Sequence, residues 1–76
     1  MKEVLKTIIS NLVDNEEAAA LHQLDREKSI TFEVKVAEAD MGKVIGKQGR
    51  LAKSIRTVMK AVAAREHKKV SVEFIG

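Results

Sequence analysis

No cysteine, proline, tryptophan or tyrosine occurs among the 76 residues, and only two phenylalanines do. Without cysteine there is no disulfide framework, no thiolate metal site and no catalytic thiol. A reducing compartment fits the same absence. No apolar block approaches the length of a membrane span. The opening "MKEVLKTIISNLV" is amphipathic and charged at Lys2, Glu3 and Lys6, unlike a secretory leader. The expectation is a cytoplasmic, soluble protein with no membrane insertion. No linker, repeat or low-complexity tract divides the chain, so residues 1–76 read as a single domain.

Catalytic constellations are missing as well. His22 and His67 stand far apart, with no neighbours at metal-ligand spacing. Ser10, Ser29, Ser54 and Ser71 have no histidine motif nearby, so no nucleophile, base and orienting group emerge. The chain reads as a non-enzyme needing no cofactor and no metal.

What is present is a globular composition, with 45% hydrophobic and 33% charged residues. A domain this small buries only about 60–65% of the surface its unfolded chain exposes, so its core is thin. The net charge of +3 hides a sharp division. Residues 1–41 hold five Lys/Arg and nine Asp/Glu, a net of −4, while residues 42–76 hold nine and two, a net of +7. Solvated helix faces are often rich in charge, but a swing this wide points to one surface that meets a polyanion.

Apolar periodicity lays out the elements. Met1, Val4, Leu5, Ile8, Ile9 and Leu12 recur at helical spacing, and the helix should stop near "DNEE". Ala18 to Leu24 reads as an edge strand and "REKS" as a turn. Ile30, Phe32, Val34 and Val36 alternate with Thr31, Glu33 and Lys35, a strand with one wet face. Val70, Val72 and Phe74 repeat that pattern against Ser71 and Glu73. Between the strands, Asp40 is expected to cap a short helix carrying Met41, Val44 and Ile45, which Gly46 ends. A longer helix should start at Gly49 or Arg50, with Leu51, Ile55, Val58, Met59 and Val62 buried and Lys53, Arg56 and Lys60 on roughly the opposite side. One polar face per strand implies helices packed on the other face, an α+β two-layer sandwich.

The basic half opens on "VIGKQGR", Val44 to Arg50. Gly42 to Lys47 does not make a Walker A loop: the glycines are one residue too close and Gln48 stands where a Mg²⁺-binding hydroxyl belongs. A dinucleotide fingerprint fails because Val44 stands where a third glycine is needed. What remains is helix–G-x-x-G–helix. Two glycines three apart are a weak signal alone, and a ligand-free interhelical turn would look the same. Here Lys47 and Gln48 take the tip, Arg50 opens a helix whose N-terminus offers free N–H groups, and missing Cβ atoms permit close backbone approach. All of these suit a phosphate.

"DMGKVIGKQGRLAKSIRTVMKA" resembles the core of a KH domain, with its V-I-G-x-x-G-x-x-[I/A] signature, and is most similar to the small stand-alone bacterial KH proteins of the KhpA family. The likeness runs over essentially the whole chain and is strongest from Val36 to Val62. "EEAAALHQL" is richer in alanine than that family's first strand. The resemblance implies the type II KH topology α-β-β-α-α-β, a three-stranded mixed sheet backed by three helices. It implies single-stranded RNA as partner, with Gly46, Lys47, Gln48 and Gly49 clamping about four nucleotides of backbone. It further implies a homodimer, pairing with a larger KH-containing partner of the KhpB (Jag) type, and roles in small-RNA binding, as a regulator or RNA chaperone, and in cell elongation and division.

Among single residues, Lys47 and Arg50 are the expected phosphate contacts, with Lys43 and Lys53 as secondary ones. Val44 and Ile45 divide between packing inward and flooring a nucleotide groove. Arg56 and Lys60 read as solubilising charges that add a long-range field. Phe32 and Phe74 both fall on the core-facing side of strands, so bases should rest on aliphatic carbon rather than aromatic platforms, with modest affinity and loose sequence preference. Two other readings stand beside this one: a dimerisation module with incidental nucleic-acid binding, and a single-stranded DNA binder.

Overall fold

The computed structural model describes residues 1–75. Its elements are α1 (Lys2–Leu12), a 3₁₀ turn at Glu16–Ala18, β1 (Ala20–Asp25), β2 (Ser29–Lys35), α2 (Glu38–Ile45), a 3₁₀ turn at Lys47–Gly49, α3 (Arg50–Arg65) and β3 (Lys69–Ile75). Strand order is β1-β2-β3. β1 and β2 pair antiparallel, with Leu21 opposite Val34 and Gln23 opposite Phe32. β2 and β3 pair parallel, with Phe32 opposite Val72. The sheet is therefore mixed, and α2 and α3 form the crossover that parallel pairing requires.

Alternation drives the layering. Ile30, Phe32, Val34 and Val36 are buried on one face of β2 and its end, as are Val70 and Val72 on β3. Leu5 and Ile9 of α1, Val44 of α2, and Ile55, Met59 and Ala63 of α3 close over that face. Phe32, Leu5, Met59, Val34 and Val44 are wholly buried and form the centre. The alanine-rich first strand forms from Ala20, two residues later than its pattern implies, because Asn15 caps a 3₁₀ turn by accepting the Ala18 N–H at 3.3 Å. The "REKS" turn closes with the Arg26 N–H donating to the Ser29 carbonyl at 2.8 Å.

Two expectations need correction. Asp40 does not cap α2: Ala37 precedes the helix, and Asp40 is its third residue. Instead the Asp40 carboxylate is buried and accepts the backbone N–H groups of Asp14 at 3.3 Å and Asn15 at 3.0 Å. It ties the chain leaving α1 to the first turn of α2. Val58 is 45% exposed rather than buried, because the inward stripe of α3 runs through Ala52, Ile55, Met59 and Ala63. With that stripe facing the core, Val58 falls on the flank of the helix. Val4 is likewise exposed, on the flank of α1 beyond the line of Leu5 and Ile9.

Candidate nucleic-acid interface

α2 stops because Gly46 takes φ 75, ψ −179, a region open essentially to glycine alone. Its N–H still donates to the Gly42 carbonyl at 2.9 Å, closing the last turn. A Cβ on Gly46 would lie 2.7 Å from the Leu51 Cβ and 3.1 Å from the Leu51 backbone nitrogen. Gly46 thus lets α3 start directly against the end of α2. Gly49 is different. It takes the left-handed conformation, φ 74 and ψ 11, yet a Cβ there would meet nothing within 4 Å. The first glycine serves close packing within the protein; the second leaves open space beside the backbone.

Between them Gln48 also has positive φ, 56°, although it is not glycine. The turn therefore holds a strained residue at its tip, stabilised by the helices that flank it. The Gly49 N–H donates to the Gly46 carbonyl at 3.3 Å. No side chain caps the start of α3. A 16-residue helix thus begins with its positive end beside the open space at Gly49, its Arg50 N–H donating to the Lys47 carbonyl. Lys47, Gln48, Arg50 and Lys53 are all exposed around this point. Val44 is wholly buried and anchors α2, while Ile45 is half-buried beside the turn. The geometry thus commits Val44 to inward packing, while Ile45 packs against the core and stays partly open.

Lys43 stands apart from the other cations. Its Nζ is ion-paired with Asp14 and lies 3.7 Å from the Asp40 carboxylate. The Asp14 partner raises the lysine pKa despite some desolvation. The Asp40 carboxyl is lowered below its ordinary value, first by the Asn15 N–H. Burial works against that, and the Asp14 N–H and Lys43 add to it. Lys43 and its two acids form one cluster joining α1 to α2, one turn ahead of the glycines.

Sequence periodicity overlooks two residues. Asp40 is one; only its position before "MGKVIG" hints at it, and that hint points to the wrong partner. Arg56 is the other. Its Nε donates to the Val72 carbonyl on β3 at 3.1 Å, and its guanidinium carbon lies 5.4 Å from the Phe74 ring centroid. It does not project away from the sheet but lies against the free edge of β3. Helical spacing links Arg50, Lys53, Arg56 and Lys60 into a cationic track along one flank of α3.

Among the described residues, no three His, Asp or Glu gather where they could hold a metal ion, and no helix is long and apolar enough to cross a membrane.

A short helix, a G-x-x-G turn and a long helix set between two parallel strands of a mixed three-stranded sheet define a KH domain. The class is one of KH proteins, not of enzymes. Comparison with known sequences sharpens this: the chain belongs to the KhpA/KhpB KH-domain family, which matches residues 2–74. It is 55% identical over 75 residues to the RNA-binding protein KhpA of Clostridium acetobutylicum, covering 99% of this chain and 100% of that one. The RNA-binding protein KhpA of Chlamydia trachomatis is 45% identical, with 99% of this chain and 96% of that one covered. That of Listeria monocytogenes is 41% identical, with 99% of each covered. No solved structure matches the chain.

Proposed function

We propose that this protein binds single-stranded RNA at the Gly46–Gly49 turn. One observation carries the reading: the space beside Gly49 is open where α3 begins without a side-chain cap, and its neighbours Lys47 and Arg50 are exposed. A sugar-phosphate chain can approach the backbone there without meeting a Cβ. The relatives' shared name, RNA-binding protein KhpA, supports the same conclusion.

The roles follow from position. Gly46 shapes the turn and Gly49 admits the backbone. Gln48 offers an amide at the tip. Lys47 and Arg50 meet the nearest phosphates, and Lys53, one turn on, meets the next. Ile45 floors the groove with aliphatic carbon, while Val44 fixes α2 in the core. Lys43, paired to Asp14 and Asp40, contributes field more than contact.

One clamp on about four nucleotides offers little surface, so micromolar affinity or weaker is expected of a monomer. A second clamp, from another copy or from a larger KH-containing partner, would raise it by avidity where both reach one strand. Post-transcriptional control, RNA chaperoning and the link to cell elongation and division would act through RNA captured in this way. Sedimentation at micromolar concentration tests the oligomer: only monomer, with RNA affinity unmoved by the partner, would remove that part.

The RNA reading itself is tested by titrating a short unstructured RNA, and its DNA counterpart, across a salt series. Each phosphate held on a single strand contributes about −0.7 to the log–log slope, so three or four contacts give about −2 to −3. A slope of zero would mean that the basic surface is not where RNA binds. Equal affinity for the DNA strand would show that the 2′-hydroxyl is not read.

A further inference from the structure

The cationic track on α3 ends at a cleft of about 290 Å³ lined by Arg56, Lys60 and Val70 to Glu73. β3 is an edge strand, so this side of it has no strand partner. Arg56 sits in the cleft in a fixed pose. Its Nε is bound to the Val72 carbonyl and its guanidinium lies over Phe74. One donor is thereby used, which leaves the Nη donors as a fork whose orientation the strand edge and the ring set in advance. Arg56 is six residues beyond Arg50, about 9 Å along the helix axis, within reach of a strand of about four nucleotides held at the turn.

An arginine fork asks a base for two adjacent acceptors. Guanine offers N7 and O6, and cytosine offers N3 and O2. Adenine presents an amino donor beside each ring nitrogen on its Hoogsteen and Watson–Crick edges. Uracil's two carbonyls are separated by an N–H. In a single strand every edge is open to reading. We propose that Arg56 is a specificity-determining residue, which selects guanine or cytosine over adenine and uracil for the nucleotide seated against β3. The proposal rests on the RNA-binding reading above and adds a base preference at one position. The cleft beside β3 accepts either base, and the fork makes the choice.

The probes are uridine oligomers of about eight nucleotides, twice the clamp's span, carrying a single guanosine, cytidine or adenosine. A bidentate base contact discriminates by about 1–3 kcal/mol, so guanosine or cytidine should tighten binding roughly fivefold or more over the all-uridine strand, and adenosine should not. Which of the two is tighter identifies the base. Arg56→Lys keeps the charge and loses the fork. It should abolish the preference while changing affinity for the all-uridine strand less than about twofold. Parent protein that binds all four strands equally overturns the proposal and leaves RNA binding intact, and needs no variant. A preference for adenosine, or one that survives Arg56→Lys, overturns it too. Failure to bind any strand overturns the RNA-binding reading first, and this proposal with it.

Discussion

Alanine at Gly46 and alanine at Gly49 should have opposite consequences, although the two glycines stand three residues apart in one turn. At Gly46 two costs coincide. The backbone conformation, φ 75 and ψ −179, is worth about 1–3 kcal/mol against any residue with a Cβ. The added carbon would also lie 2.7 Å from the Leu51 Cβ, an atom fixed to the α3 backbone that cannot swing aside. Overpacking of that kind costs about 1–3 kcal/mol more, because the first turn of α3 must shift. Together they come to about 2–6 kcal/mol, a large part of the stability of so small a domain. At about 4–8 °C per kcal/mol, the melting temperature should fall by about 8 °C or more. At Gly49 the space is open and only the left-handed backbone resists, at about 1–2 kcal/mol. Reduced freedom of the unfolded chain returns about 0.4–1 kcal/mol of that. Gly49→Ala should therefore melt within a few degrees of the parent, yet bind RNA several-fold more weakly, because its methyl group occupies the space left for the strand. Thermal melts by circular dichroism, paired with an RNA titration, read both effects. A Gly46→Ala protein that melts like the parent, or a Gly49→Ala protein that loses as much stability, would refute this division of roles.

Asp40→Asn should lower the melting temperature at neutral pH, since it weakens acceptance of the Asp14 and Asn15 N–H groups and the pairing with Lys43. The Asp40 carboxyl is depressed in the folded state, so its contribution is present above its unfolded value of about 4 and is lost as pH falls through the lower folded value. The parent should lose stability below about pH 4, and the variant should show a shallower acid limb in melts across pH; equal limbs would exclude Asp40 as the source. His67→Gly should stabilise. His67 holds φ 58 where α3 ends, with its N–H donating to the Ala64 carbonyl at 3.1 Å and the Lys68 N–H to the Ala63 carbonyl at 3.0 Å. Glycine suits that left-handed position, and a gain of about 0.5–1 kcal/mol, or a few degrees, is expected in a thermal melt.

Much of the fold is legible in periodicity because the core is thin and each element contributes one short apolar set. The alternation of Ile30, Phe32, Val34 and Val36 and the spacing of Ile55 and Met59 predict buried faces that the structure bears out. Periodicity fails at Val58 because the large apolar residues alone centre the stripe too far to one side, whereas the buried face includes the alanines at 52 and 63 and leaves Val58 on its flank. Asp40 shows a second limit. An aspartate beside a helix start has the pattern of a cap, but its partners at Asp14 and Asn15 lie 26 and 25 residues away in sequence. Arg56 shows a third: on a helical wheel it is one more surface cation, and only the edge of β3 gives it an orientation. The turn was the most readable part of the candidate site, since two glycines and flanking cations leave a local signature. The different duties of those glycines depend on Leu51 and on open space, which no spacing rule contains.

The most direct test of the central claim exchanges the turn's tip for negative charge. The double variant Lys47→Asp, Gln48→Asp keeps both glycines and takes the net charge from +3 to 0. Both side chains are exposed, so no core contact is lost. Surface changes usually stay within about 0.5 kcal/mol, and the melt should move by only a few degrees. Two carboxylates would then face the phosphates where the backbone must come close. RNA affinity, read by titration with the same short RNA at fixed salt, should drop by more than about tenfold, or 1.4 kcal/mol. A variant that melts like the parent and still binds RNA like the parent would contradict the account, and the glycine turn would be only a turn.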